Sequence, residues 1–349
     1  MRDRERQDMT PARRRLAVFL SVGAVAVLAA AAASPGLLQA RVSAGLGALG
    51  GASPHWLAVA GLGFVVAFAC TVGAWRAALA AAGGTICARQ AAARLGIGSL
   101  VNAVAPAKLG DAMKIALCAR AIDDPERLWT TGGVYAALAA ARALALATLV
   151  VAASATGALP LWPVFALCGA VGVPAVVAAS SPRWRKHPRI ACLLEGFAAL
   201  ERSPRALSAV LGWTFAMAAA RLLATVAVTL ALGVPHPVLA ALVVMPVLDL
   251  AGIAPITPGG FGIATGAVAM ALASRGISGS QALGVGIAMQ AVETVVSLAV
   301  GGLGTLYLLV PRLSVRSRVS VRRWAVPLTA ALTSVGLAAM LGAAVLRLL

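Results

Sequence analysis

Asp249-Leu-Ala-Gly252-Ile-Ala-Pro255-Ile-Thr257-Pro258-Gly259-Gly260-Phe261-Gly262 interrupts a stretch that is otherwise apolar from 238 to 275. Proline removes a backbone donor and clashes with the preceding helical turn, while glycine lets the backbone turn where other residues cannot. One long helix is therefore not expected here; the stretch reads as two half-length helical pieces around a break. A second stretch, 95–122, is broken in the same way by Asn102-Ala-Val-Ala-Pro106-Ala-Lys108-Leu-Gly110-Asp111-Ala-Met-Lys114. The two breaks share Ala-Pro-x-x-x-Gly, from Ala105-Pro106 to Gly110 and from Ala254-Pro255 to Gly259. An Ala-rich helical half follows each.

Outward from the breaks the chain is almost continuously apolar. Of its 349 residues 61% are hydrophobic and 11% charged, against roughly a quarter charged in soluble domains. Spans are expected at 16–33, 56–79, 131–154, 161–179, 206–232, 281–310 and 324–346, each near the ~20 residues that cross a bilayer. The first follows a charged tail ending Arg13-Arg14-Arg15 and is read as an uncleaved span. The expected fold is all-α: a polytopic membrane protein of about seven spans plus two broken or re-entrant hairpins. The parts are a basic tail (1–15), a transmembrane domain (16–310), and a basic loop with a final span (311–349).

The net charge of +18 is placed in loops, not in a basic stripe interleaved with aromatics, so nucleic acid is not the expected partner. Basic clusters at 2–15, 76–94, 108–127, 183–205 and 312–323 assign those segments to the cytoplasm, with a cytoplasmic N-terminus. Segment 183–205 reads as a plain basic loop or as a helix lying on anionic lipid. The parity closes if the first broken region enters and leaves from the cytoplasm and the second from outside. Opposite approach with a shared motif is the mark of an inverted repeat.

Charge inside the spans is sparse. Of the eleven acidic residues, all but Asp111, Asp249 and Glu293 lie in the tail or the basic loops. Asn102 is the chain's sole asparagine, and Arg142 and Arg221 lie within spans. A charge at the bilayer centre costs ~3 kcal/mol or more, so these side chains are expected to face a cavity or each other. Arg142 and Arg221 either neutralise Asp249 or Glu293 or contact substrate directly. Half-helix N-termini near Gly110 and Gly262 would suit a phosphate, with Lys108 and Lys114 beside the first. The five cysteines form no CxxC pair and the three histidines no cluster, so no metal or other cofactor is expected. Gly45-Leu-Gly47-Ala-Leu-Gly50 follows no strand, and no P-loop, GxSxG or HExxH occurs; the chain is not expected to be an enzyme.

Leu109-Gly110-Asp111-Ala-Met-Lys114 and Thr257-Pro258-Gly259-Gly260-Phe261-Gly262 resemble motifs of the transmembrane region of lysylphosphatidylglycerol synthases and of related stand-alone flippase-like membrane proteins. The resemblance runs from about 16 to 309 and implies lipid translocation in a bacterial inner membrane. It matches Asn102, Pro106, Gly110, Asp111 and Lys114 to the first motif and Arg142 to an arginine in the following span. The family's glutamate after the second motif and arginine in the next span are replaced here by Thr265 and Gln290, as if an ion pair had been lost jointly. The soluble aminoacyl-transfer domain of full synthases is absent from the sequence, so lysyl-lipid synthesis is not expected. The implied partner is a membrane phospholipid. The alternative is a non-catalytic subunit that presents lipid to a separate modifying enzyme.

Overall fold

The structure is a computed structural model, describing residues 50–105, 109–122, 126–157, 197–251 and 263–309. Among these residues the secondary structure is helical, without strands. Four helices are long and apolar enough to cross a membrane. They are α1 (Pro54–Ala81), α4 (Arg127–Ala155), α5 (Pro204–Ala231) and α8 (Gly279–Leu309). They coincide with the spans expected at 56–79, 131–154, 206–232 and 281–310. The spans expected at 16–33, 161–179 and 324–346, and most of 183–205, lie outside the described residues.

Between the long helices stand four shorter ones: α2 (Ala88–Val104), α3 (Leu109–Cys118), α6 (Pro237–Ala251) and α7 (Ile263–Ala273). At 1.5 Å per residue, α3 and α7 are only ~15 Å long, about half a bilayer core. Each break therefore separates two distinct helices, as the proline and glycine require. Pro246 lies inside α6 without ending it.

α2 and α3 form a tight antiparallel hairpin. A Cβ on Gly110 would collide with the carbonyl of Gly98 and with Asn102, and one on Gly98 would meet the stem of Lys114. Only glycine permits this approach. α8 runs antiparallel to α2 through a seam of small residues: Gly96 abuts Val300, Gly301 abuts Leu100, and Gly304 abuts Ala93. Such residues let backbones close where lipid offers no hydrophobic drive for helix association. α1 and α5 are antiparallel too, with Gly63 against Ala224 and Gly73 against the Trp213 ring. Their ends are tied by Ser53 N–H donating to Ala231 O at 2.9 Å.

The two halves repeat. Residues 54–155 run as helices of 28, 17, 10 and 29 residues, and residues 204–309 as helices of 28, 15, 11 and 31. If α1–α4 are exchanged with α5–α8, the packing pattern maps onto itself. α2–α8 becomes α6–α4, α2–α3 becomes α6–α7, and α3–α4 becomes α7–α8; α1–α2, α1–α8 and α1–α4 become α5–α6, α5–α4 and α5–α8. The α1–α5 pair maps onto itself and is antiparallel, so the two halves are inverted.

Loop contacts sort into two rims. On one, Gly84 lies against Ile122 and the N–H of Thr85 donates to Ala121 O. On the other, Arg275 donates to Gly157 O at 2.9 Å, and Gln281 donates to Leu232 O and Gly233 O. The α2–α3 hairpin opens from the first rim and the α6–α7 hairpin from the second. The first carries Arg76, Arg89, Arg120, Arg127, Arg202 and Arg205; among the described residues near the second, Arg275 is the sole lysine or arginine.

Candidate functional site

The first hairpin places a carboxylate near its tip, beside the break. Gly110 brings the first turn of α3 against α2, which sets Asp111 opposite Asn102. Asp111 Oδ1 accepts from Asn102 Nδ2 at 2.9 Å and from Lys114 Nζ at 3.0 Å. Its Oδ2 accepts from the Tyr135 hydroxyl at 2.8 Å. Asp111 thus joins α2, α3 and α4. An acid in the first turn also sits favourably at the positive end of a helix. Side-chain exposures of 13% for Lys114 and 19% for Asp111 mark a strongly desolvated pair, where charge-assisted bonds are stronger than in water. The ring of Tyr135 is held by the buried Trp75, with centroids 6.2 Å apart. Asn102 Oδ1 is buried and has no hydrogen-bond partner among the described residues.

The second half contributes a matching pair. Arg221 on α5 donates through Nη1 to Asp249 Oδ1 on α6 at 2.8 Å. Of the readings open at the sequence level, neutralisation is the one observed for Arg221 and Asp249. The pair closes α5 onto the second hairpin just before its break.

Two more charges lie between these pairs. Arg142 on α4 is within electrostatic range of Tyr135, Asp111, Arg221 and Asp249. It keeps accessible surface despite its place among these groups, and makes no hydrogen bond or ion pair among the described residues. Glu293 on α8 is within range of Lys114 on one side and Arg221 on the other. It too is half-buried, without a direct partner among the described residues. Lys114, Arg142, Arg221, Asp111, Asp249 and Glu293 thus form one neighbourhood, drawn from both halves.

Of the residues singled out from the sequence, Asn102, Gly110, Asp111 and Lys114 come together directly, and Arg142, Asp249 and Glu293 join them through charge. Lys114, expected to face a phosphate, is engaged by Asp111. Gln290 is buried on α8. Thr265 is also buried and fills the notch at Gly286, one turn before Gln290. Thr265 is thus an uncharged group in the α7–α8 contact. Pro106, Lys108, Thr257, Pro258, Gly259, Gly260 and Gly262 lie outside the described residues. Sequence reasoning missed Tyr135. It is one of two tyrosines in the chain and lies two helical turns before Arg142, on the same face; that spacing was the available signal.

Fold and site define a polytopic helical membrane protein whose charges are gathered between two inverted halves. The profile of the lysylphosphatidylglycerol synthase TM region matches residues 15–301, and the chain belongs to that family. This places it among membrane proteins of lipid modification or transport. Comparison with curated proteins and with solved structures finds no match.

Proposed function

We propose that this protein is a flippase-like lipid transporter of a bacterial inner membrane. In this reading it moves a phospholipid or modified-lipid headgroup between leaflets and carries out no chemistry on it. The observation that carries the reading is the charged neighbourhood joining the two hairpins, which open from opposite rims. Six intramembrane charges would be costly in lipid, and a wet, shared cavity between the hairpins gives them a use. Under this reading the hairpins are re-entrant: each dips to mid-membrane and returns, and the breaks bound the headgroup path. Broken backbone is tolerated at that depth where protein buries it or it lines such a cavity. In this reading the basic rim faces the cytoplasm, and the basic N-terminal tail lies on the same side by the same rule. Rocking of one half against the other would pass the headgroup across while acyl tails stay in lipid.

Arg142 is assigned to the lipid phosphate because, of the three cations of the central neighbourhood, Lys114 and Arg221 are each paired with an aspartate and Arg142 has no direct partner among the described residues. The test is leaflet exchange of an acyl-labelled phospholipid in proteoliposomes. Arg142→Ala is expected to slow exchange by tenfold or more, on the order of the 1.5–3 kcal/mol of one charge-assisted hydrogen bond. Exchange at the wild-type rate would remove Arg142 from the path. No exchange by the wild-type chain, with a soluble transferase co-purifying, would favour the alternative of a lipid-presenting subunit. The synthase context in the family's description is what favours that second reading.

A further inference from the structure

Resting on the transport reading above, we propose that the headgroup carried is zwitterionic, with its phosphate against Arg142 and an ammonium group against Glu293. Four of the six central charges are already engaged: Lys114 with Asp111 at 3.0 Å and Arg221 with Asp249 at 2.8 Å. The remaining two are of opposite sign, and neither has a direct partner among the described residues. They stand on α4 and α8, the spans that follow the two hairpins and correspond in the inverted repeat. Arg142 lies 15 residues after Arg127, the first residue of α4, and Glu293 lies 14 after Gly279, the first residue of α8, so the repeat presents a cation in one half and an anion in the other. The two are neighbours of the same groups. Lys114 is within electrostatic range of both, and so is Arg221.

An ammonium-bearing phospholipid complements both free charges at once. An anionic headgroup without an amine satisfies Arg142 and leaves Glu293 unmatched. Leaving a buried charge unmatched where a partner was designed in is what gives a polar site its selectivity. Among the described residues the six charges sum to zero, so a headgroup of zero net charge also leaves the centre neutral.

Proteoliposomes containing acyl-labelled phosphatidylethanolamine or phosphatidylglycerol test this directly. The wild-type chain is expected to exchange the ethanolamine lipid about tenfold faster, the equivalent of ~1.4 kcal/mol. Glu293→Gln is expected to bring that ratio close to one, and Glu293→Asp to keep it. Soluble glycerophosphoethanolamine should inhibit wild-type exchange at lower concentration than glycerophosphoglycerol, a comparison that needs no variant. Equal wild-type rates, or a preference that survives Glu293→Gln, overturn the inference and leave transport standing. Exchange of neither lipid overturns the transport reading as well.

Discussion

Asp111 shows how one side chain can organise a membrane interior. Its two oxygens accept from three helices, so the carboxylate that would be a liability in hydrocarbon becomes a tie among them. Arg221 and Asp249 do the same work in the second half, at 20% and 28% side-chain exposure. Removing one member leaves an uncompensated charge, which costs about 3–5 kcal/mol for buried pairs. Arg221→Met alone is therefore expected to lower the unfolding midpoint in detergent far more than Arg221→Met combined with Asp249→Leu. Additive losses in that double-mutant cycle would show that the two side chains are not coupled. Arg142 and Glu293 are different in kind. They add charge without a matching bond among the described residues, which is why the proposals about substrate rest on them.

At the scale of elements, glycine decides which helices can meet. Gly98 and Gly110 let α2 and α3 close into a hairpin, and that closure brings Asn102 and Lys114 to Asp111. Gly110→Ala adds a methyl where backbone stands. The expected cost is about 1–3 kcal/mol for overpacking, together with disruption of the Asp111 cluster. The check is thermal unfolding in detergent alongside lipid exchange; a variant of full stability and full exchange would show that the hairpin does not need this contact. The breaks at 105–109 and 251–263 were legible because proline and glycine act through local backbone geometry. The partner of each half-helix was not legible, since apolar Ala-rich helices carry little pattern to say which faces touch.

For the whole molecule, the inverted halves assign each hairpin to its own rim. The basic rim includes Cys87, which is exposed; Ser274 is exposed near the other. In a variant whose one cysteine is Cys87, a membrane-impermeant maleimide is expected to label inverted vesicles and spare intact cells. A cysteine-free background carrying Ser274→Cys should give the reverse. Labelling of both from the same side would refute the orientation and the opposite approach of the hairpins together.

The sequence by itself determined the membrane class, the four described spans and the two interruptions. Hydropathy, helix-breaking residues and loop charge are properties of short segments, and they survive without knowledge of neighbours. It also marked Asp111, Arg142, Arg221, Asp249 and Glu293, because charge is rare enough in these spans to stand out. Only the tertiary structure decided who pairs with whom. It joined Arg221 to Asp249 over 28 positions, brought Tyr135 to Asp111 over 24, and left Arg142 and Glu293 without direct partners among the described residues. Those choices depend on which helix faces meet, and the faces meet through glycine contacts between segments far apart in the chain.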